Sequence, residues 1–191
     1  MSSESVDLIK EKWEKYESLC ERLGDENISV MIRELGERLI MCPYNRKSDE
    51  VCNGPGGLVD FSIRLAHLMR SLNESLGFKI SSAKIIKTAL LHGVGKIGDL
   101  EDAYFVEQES DWHREKLGHL YQINENIRKM SLSHRSLYLL QSFSVTLEQD
   151  EWIAIQLSAG PHYDENKFYV NHEPKLAILL QTAKRALEIN N

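Results

Sequence analysis

Apolar residues recur along this chain at alternating spacings of three and four, the pattern of helices that turn one face towards a core. Val6, Ile9, Trp13, Tyr16, Cys20 and Leu23 keep this spacing and predict an amphipathic helix from Ser3 to Leu23. Gly24 ends it and Asp25 can cap a second helix, Glu26 to Met41, which carries Ile28, Ile32, Leu35 and Leu39 on one side and meets Pro43 just beyond its end. Residues 1–41 thus read as an N-terminal helical hairpin that either packs on the rest of the chain or serves as an interaction surface. Residues 42–191 read as the main helical domain, the two forming one compact unit.

The same logic carries through the main domain. Cys42 to Gly57 is polar and irregular, and its Asn53-Gly54-Pro55-Gly56-Gly57 turn either reverses the chain or leaves N–H groups free to hold an anion. Leu58, Phe61, Leu65, Leu68, Leu72 and Leu76 form the next stripe, stopped by Gly77. Ser81 or Ser82 caps a helix whose buried face includes Ile85, Ala89 and Leu91. From Leu100 to Lys129 no period is sustained, so that segment reads as a long, partly helical excursion. Ser131 or Ser133 starts a helix through Leu137 and Leu140, and Thr146-Leu147-Glu148-Gln149 has a capping-box pattern for another reaching Ala159. Residues 161–171 read as a polar loop or small hairpin, and Pro174 opens a last helix through Leu176, Leu180, Ala183 and Leu187. The expectation is an all-α domain of about seven helices with essentially no sheet.

Charge and cysteine content narrow the function classes. The net charge of −6 argues against bulk binding to a nucleic-acid backbone or an anionic membrane. Lys79, Lys84, Lys87 and Lys96 are either a local basic strip or a solvated helix face. No apolar run approaches the roughly 18 residues that cross a bilayer, and the acidic start of the chain does not read as a signal peptide, so the expected location is the cytoplasm. Cys20, Cys42 and Cys52 fit neither a disulfide framework nor a zinc pair and read as idle thiols.

Polar chemistry concentrates in Leu90-Leu91-His92-Gly93-Val94-Gly95-Lys96-Ile97-Gly98-Asp99, at the place where an apolar helix should stop. This stretch resembles the HD-domain phosphohydrolases, which present His-Asp-x-Gly-Lys there. In that family an early His, the adjacent His-Asp pair and a late Asp bind a catalytic divalent metal. Gly93 stands where the Asp of the pair would be. Gly56-Gly57-Leu58-Val59-Asp60-Phe61 resembles the family's opening, with Phe61 in place of the early His. Leu179-Leu180-Gln181-Thr182-Ala183-Lys184 resembles the late helix, with Lys184 in place of the Asp. One imidazole does not replace the three protein ligands of a catalytic site, so the resemblance implies the fold without metal or cofactor.

The similarity extends to a subgroup of HD-like proteins common in tailed phages, through Gln108 to Gly118, Tyr121, Asn124, Arg135-Ser136-Leu137 and Leu147 to Ile155. It covers Tyr44 to Leu187. Where that subgroup has His-Asp-Gly, this chain has Ser158-Ala159-Gly160. For a phage gene the location would be the host cytoplasm.

The polar residues left over, His92, Lys96, Asp99, His113, Arg114 and Lys184, are the candidate binding set. If they face one pocket, it has lost anionic ligands and gained cationic ones, which would suit a nucleotide, phosphate or carboxylate without metal. Local roles, helix ending and stacking, are the alternative. The expected function is a catalytically inactive HD-fold binding or regulatory protein acting on an anionic small molecule or a protein partner. Its rivals are a metal-dependent phosphohydrolase acting on a nucleotide or phosphate monoester, and a self-associating protein that forms a homodimer through residues Val6 to Leu23.

Overall fold

The computed structural model describes residues 3–160 and 162–189. Among them the fold is all-α: nine helices and one two-stranded ribbon. The helices are α1 (Ser3–Glu21), α2 (Glu26–Met41), α3 (Gly57–Leu76), α4 (Ser82–Leu91), α5 (Asp111–Leu117), α6 (Leu132–Ser142), α7 (Gln149–Leu157), α8 (Asp164–Lys167) and α9 (Lys175–Ile189). A single 3-10 turn, Val94–Lys96, follows α4. Among the described residues no helix is long and apolar enough to cross a membrane.

The hairpin forms as its sequence dictates. Gly24 takes a left-handed φ of 66°, and the Asp25 carboxylate accepts the Asn27 N–H at 3.0 Å. It packs on the main domain: α1 meets α3 and α4, and α2 meets α3. Tyr16 is buried and its hydroxyl donates to the Leu90 carbonyl at 2.9 Å, fastening the hairpin to the end of α4. Burying such a side chain stabilises the fold by roughly 2 kcal/mol.

α3 is central, touching α1, α2, α4 and α9. It buries Leu58, Val59, Phe61, Leu65 and Met69 and ends at Gly77, whose left-handed backbone lets its N–H cap the last turn. At its start the chain reverses direction. The Gly57 N–H donates to Gly54, Leu58 to Cys42 and Asp60 to Gly56, so these groups are already partnered within the chain. A Cβ on Gly57 would lie 2.0 Å from the Cys52 carbonyl oxygen, which shows how closely the Cys42–Gly56 segment folds over the helix.

Ser81 and Ser131 are the caps of α4 and α6. The cap of α7 is Glu148 and not Thr146: the Glu148 N–H donates to the Glu151 carboxylate at 2.8 Å. That helix stops at Leu157, short of the expected Ala159. Among the described residues sheet is confined to one short ribbon. Within Leu100 to Lys129, β1 (Phe105–Glu107) pairs antiparallel with β2 (Tyr121–Ile123), and α5 lies between them. Strands of three residues are too short to show an alternating pattern. The ribbon is set from outside by Leu120 N–H donating to Arg46 and by the Asn124 amide donating to Ala103.

The lysines do not form a strip. Lys84 pairs with Glu148 at 2.8 Å and Asp150 at 3.1 Å, Lys87 lies 3.7 Å from Glu151, and Lys96 turns inward. All three cysteines are free thiols, and burial pushes Cys20 and Cys42 up to about 12.

Candidate functional site

His92 is the residue on which α4 ends, and the glycines after it let α6 approach. A Cβ on Gly95 would lie 2.5 Å from the Leu132 carbonyl oxygen and 2.7 Å from the Ser136 nitrogen. With none there, Gly95 N–H donates to the Ser136 hydroxyl at 2.9 Å, and that hydroxyl donates to the His92 carbonyl at 2.8 Å. Gly98 has φ 122°, a conformation that side chains avoid. The glycines of this stretch thus serve close packing of the turn.

The His92 ring is buried. Its Nδ1 lies 2.8 Å from the Ala89 carbonyl oxygen, so Nδ1 carries the proton and Nε2 the lone pair. Nε2 is buried with no hydrogen-bond partner among the described residues. Burial, reinforced by the Lys184 charge, holds this imidazole down to about 3, so it is neutral at physiological pH.

Phe61 lies beside it, ring centroids 6.3 Å apart, and Tyr44 stacks on Phe61 with centroids at 3.5 Å and planes 8° apart. Lys96 folds inward: its ammonium donates to the Tyr44 carbonyl and sits 4.1 Å from the centre of the Tyr44 ring. Burial, and then the Lys184 charge, lower Lys96 to about 8. Lys184 donates to the Ser158 carbonyl at 2.8 Å and lies 3.9 Å from Glu188. Burial lowers its pKa, an effect that the Glu188 carboxylate opposes. The Tyr44 hydroxyl in turn donates to Glu188 at 3.4 Å.

His92, Lys96 and Lys184 therefore share one cluster around Tyr44, and its interior is filled by aromatic rings. The other three candidates have local partners. Asp99 accepts the N–H groups of Glu101 and Asp102, while its carbonyl accepts from Arg38. His113 bonds Ser110 and stacks with His119 at 5.9 Å. Arg114 pairs with Asp111 and donates to the Gln108 carbonyl. Among the described residues none of these three pairs with the His92 cluster.

The resemblance places metal ligands at positions 61, 92, 93 and 184, and the residues present do not fit a metal there. They offer one imidazole lone pair, a phenyl ring, no side chain, and an ammonium that repels cations. A Cβ on Gly93 would lie 3.0 Å from Leu58 Cδ1, so a side chain at this position would press on Leu58. Among the described residues no three His, Cys, Asp or Glu side chains form a group able to hold a metal ion.

Compared with protein-family models, with curated proteins and with solved structures, the chain matches none of them.

Sequence reasoning missed Tyr44, Glu188 and the buried Arg135. Tyr44 lies in a segment without periodicity. Glu188 follows Lys184 at the four-residue spacing that puts two side chains on one helix face, a signal that was readable. Arg135, on the helix that the Ser131 cap begins, enters the sequence reading only through the Arg135-Ser136-Leu137 resemblance, which does not reveal that it is 2% exposed.

Proposed function

We propose that this chain is an HD-type helical protein of the kind found in tailed phages that has given up metal-dependent hydrolysis and works by binding a ligand or partner. One observation carries the reading: around the neutral His92 imidazole, where the resemblance would put a divalent cation, stand the stacked rings of Tyr44 and Phe61 and the ammonium groups of Lys96 and Lys184. The two lysines supply positive charge at a place where a hydrolase would recruit it from solution. Glu188 and two backbone carbonyls offset that charge, so the arrangement reads as a structural replacement for the metal. On this reading the chain keeps the HD scaffold as a platform and presents ligands elsewhere on its surface.

Elemental analysis tests it. Protein purified without chelator, and again after reloading with manganese, iron, cobalt, nickel or zinc, should carry far less than one metal per chain and should not hydrolyse nucleotides or phosphate monoesters. Near-stoichiometric metal, lost together with hydrolysis in a His92→Ala variant, would restore the phosphohydrolase.

A further inference from the structure

Arg135 is a buried cation that makes no ion pair among the described residues. It sits in the first turn of α6 and is 2% exposed. Its Nη2 donates to the Arg128 carbonyl, and its Nε is buried with no partner among the described residues. The Tyr104 ring centre lies 5.4 Å from its Cζ. No ion pair joins it to a carboxylate among the described residues. Asp99 is close enough to feel its charge but already accepts two backbone N–H groups. A buried guanidinium so poorly matched is unfavourable unless an anion from outside completes it.

Two hollows open beside this side chain, and Arg128, Met130 and Arg135 line both. The first, of about 340 Å³, is also lined by Asp99 and Glu101, which oppose an incoming anion. The second, of about 380 Å³, gathers Arg128, Lys129 and Arg135 against the one carboxylate of Glu125. Its remaining walls include Tyr104, Ile127 and Met130. A cationic edge beside an aromatic and apolar wall matches an amphipathic anion: guanidinium groups grip an oxyanion through paired N–H donors, and a flat body stacks on a ring.

We propose that the hollow between Tyr104 and Arg135 is a binding site for a small organic oxyanion, a phosphate or carboxylate carried on a flat apolar body. Arg128 and Arg135 hold the charged group, and Tyr104 with Met130 packs against the body. The site is separate from the His92 cluster and needs no metal, so it stands whether or not the chain has lost hydrolase chemistry.

The test is calorimetric and thermal-shift titration of the full chain, in the presence of chelator, with phenyl phosphate, benzoate, inorganic phosphate and benzyl alcohol. Phenyl phosphate or benzoate should bind saturably at a single site and raise the melting temperature. Which of the two binds tighter identifies the oxyanion. Inorganic phosphate should bind more weakly and benzyl alcohol not at all. Arg128 is exposed, so Arg128→Glu should fold normally and weaken binding about tenfold or more. Arg135→Lys keeps the charge but loses the fork and should also bind more weakly. Tyr104→Leu provides a further variant should Arg135→Lys fail to fold, and it should weaken the aromatic anions while leaving inorganic phosphate unchanged. Absence of saturable binding by both aromatic anions, equal binding by Arg128→Glu, or binding of benzyl alcohol as tight as that of the anions would overturn the proposal.

Discussion

Tyr44 lies flat on Phe61, ring centroids 3.5 Å apart, and through that contact a residue from an irregular segment fills the centre of the helical core. Both rings are essentially inaccessible to solvent. The pair closes the space beside His92 and gives Lys96 an aromatic face and a carbonyl to rest on.

Removing either ring should therefore be costly. Tyr44→Ala and Phe61→Ala should each destabilise the fold by about 3–5 kcal/mol, because each leaves a cavity that the surrounding helices fill only in part. The double variant should show a coupling of about 1 kcal/mol, as expected for stacked rings. Urea denaturation of the four proteins measures both quantities; a coupling near zero would mean that the rings do not stack in solution.

Stability should fall on acidification through His92. Its imidazole is held down to about 3 in the folded chain and titrates near its ordinary value, about 6.5, when unfolded. Between those limits the unfolded state binds more protons, so this contribution is full above about pH 6.5 and disappears towards about pH 3. The loss of urea midpoint from about pH 7 to about pH 4 should be smaller in His92→Gln than in the natural chain. An equal loss in both proteins would exclude His92 as a source.

On the alkaline side two effects oppose each other. The thiols of Cys20 and Cys42, raised to about 12, stabilise the fold below their unfolded pKa of about 8.5 and cease to do so as pH rises through the folded value. Lys96, lowered to about 8, acts the other way, adding stability as pH climbs from about 8 towards about 10. Lys96→Met should therefore make the alkaline loss of stability steeper. Thermal melts across that range would check it, and a shallower loss would contradict the burial of the ammonium.

Glu151 ties the start of α7 to α4. Its buried carboxylate accepts the Glu148 N–H at 2.8 Å and lies 3.7 Å from the Lys87 ammonium on α4. Glu151→Ala removes the cap of α7 and the partner of Lys87 together, so the expected loss is about 1–3 kcal/mol. Glu151→Gln, which can still accept the cap bond, should lose less. Chemical denaturation of the two variants orders them, and equal losses would place the effect in packing alone.

Two glycines give opposite expectations for the same substitution. Gly95→Ala puts a methyl group 2.5 Å from a backbone oxygen and should cost several times more than an ordinary surface change, on the order of 3 kcal/mol. Gly36, inside α2 with nothing within 4 Å of its Cβ position, should gain about 0.5–1 kcal/mol on replacement by Ala. Differential scanning calorimetry should show melting temperatures moving in opposite directions, and parallel shifts would contradict the close approach at Gly95.

Helix ends were legible because they are local. Gly24 and Asp25, Gly77, Ser81 and Ser131 each act within three or four residues of the bond they make or end, and the structure uses every one of them. Glu148 takes the capping position rather than Thr146, and its partner Glu151 lies 3.7 Å from Lys87, a contact between two helices that no local pattern contains. The ribbon Phe105–Glu107 with Tyr121–Ile123 escaped for the same reason, its strands being set by Arg46 from a distant loop.

The candidate site divides along that line. Periodicity and capping by themselves determined an all-α chain, the hairpin of α1 and α2, and the polar stretch from His92 to Asp99 at the end of α4, since each depends on free energies summed over a turn or two of one helix. Only the tertiary structure decided that Lys96 turns inward onto Tyr44, that the charge of Lys184 reaches His92, that His113 and Arg114 bond within their own segment while Asp99 caps its own turn, and that Arg135 is buried beside an open hollow. These outcomes depend on where segments far apart in the chain are packed together, and on which charged side chain finds a carbonyl or a ring within reach once they are.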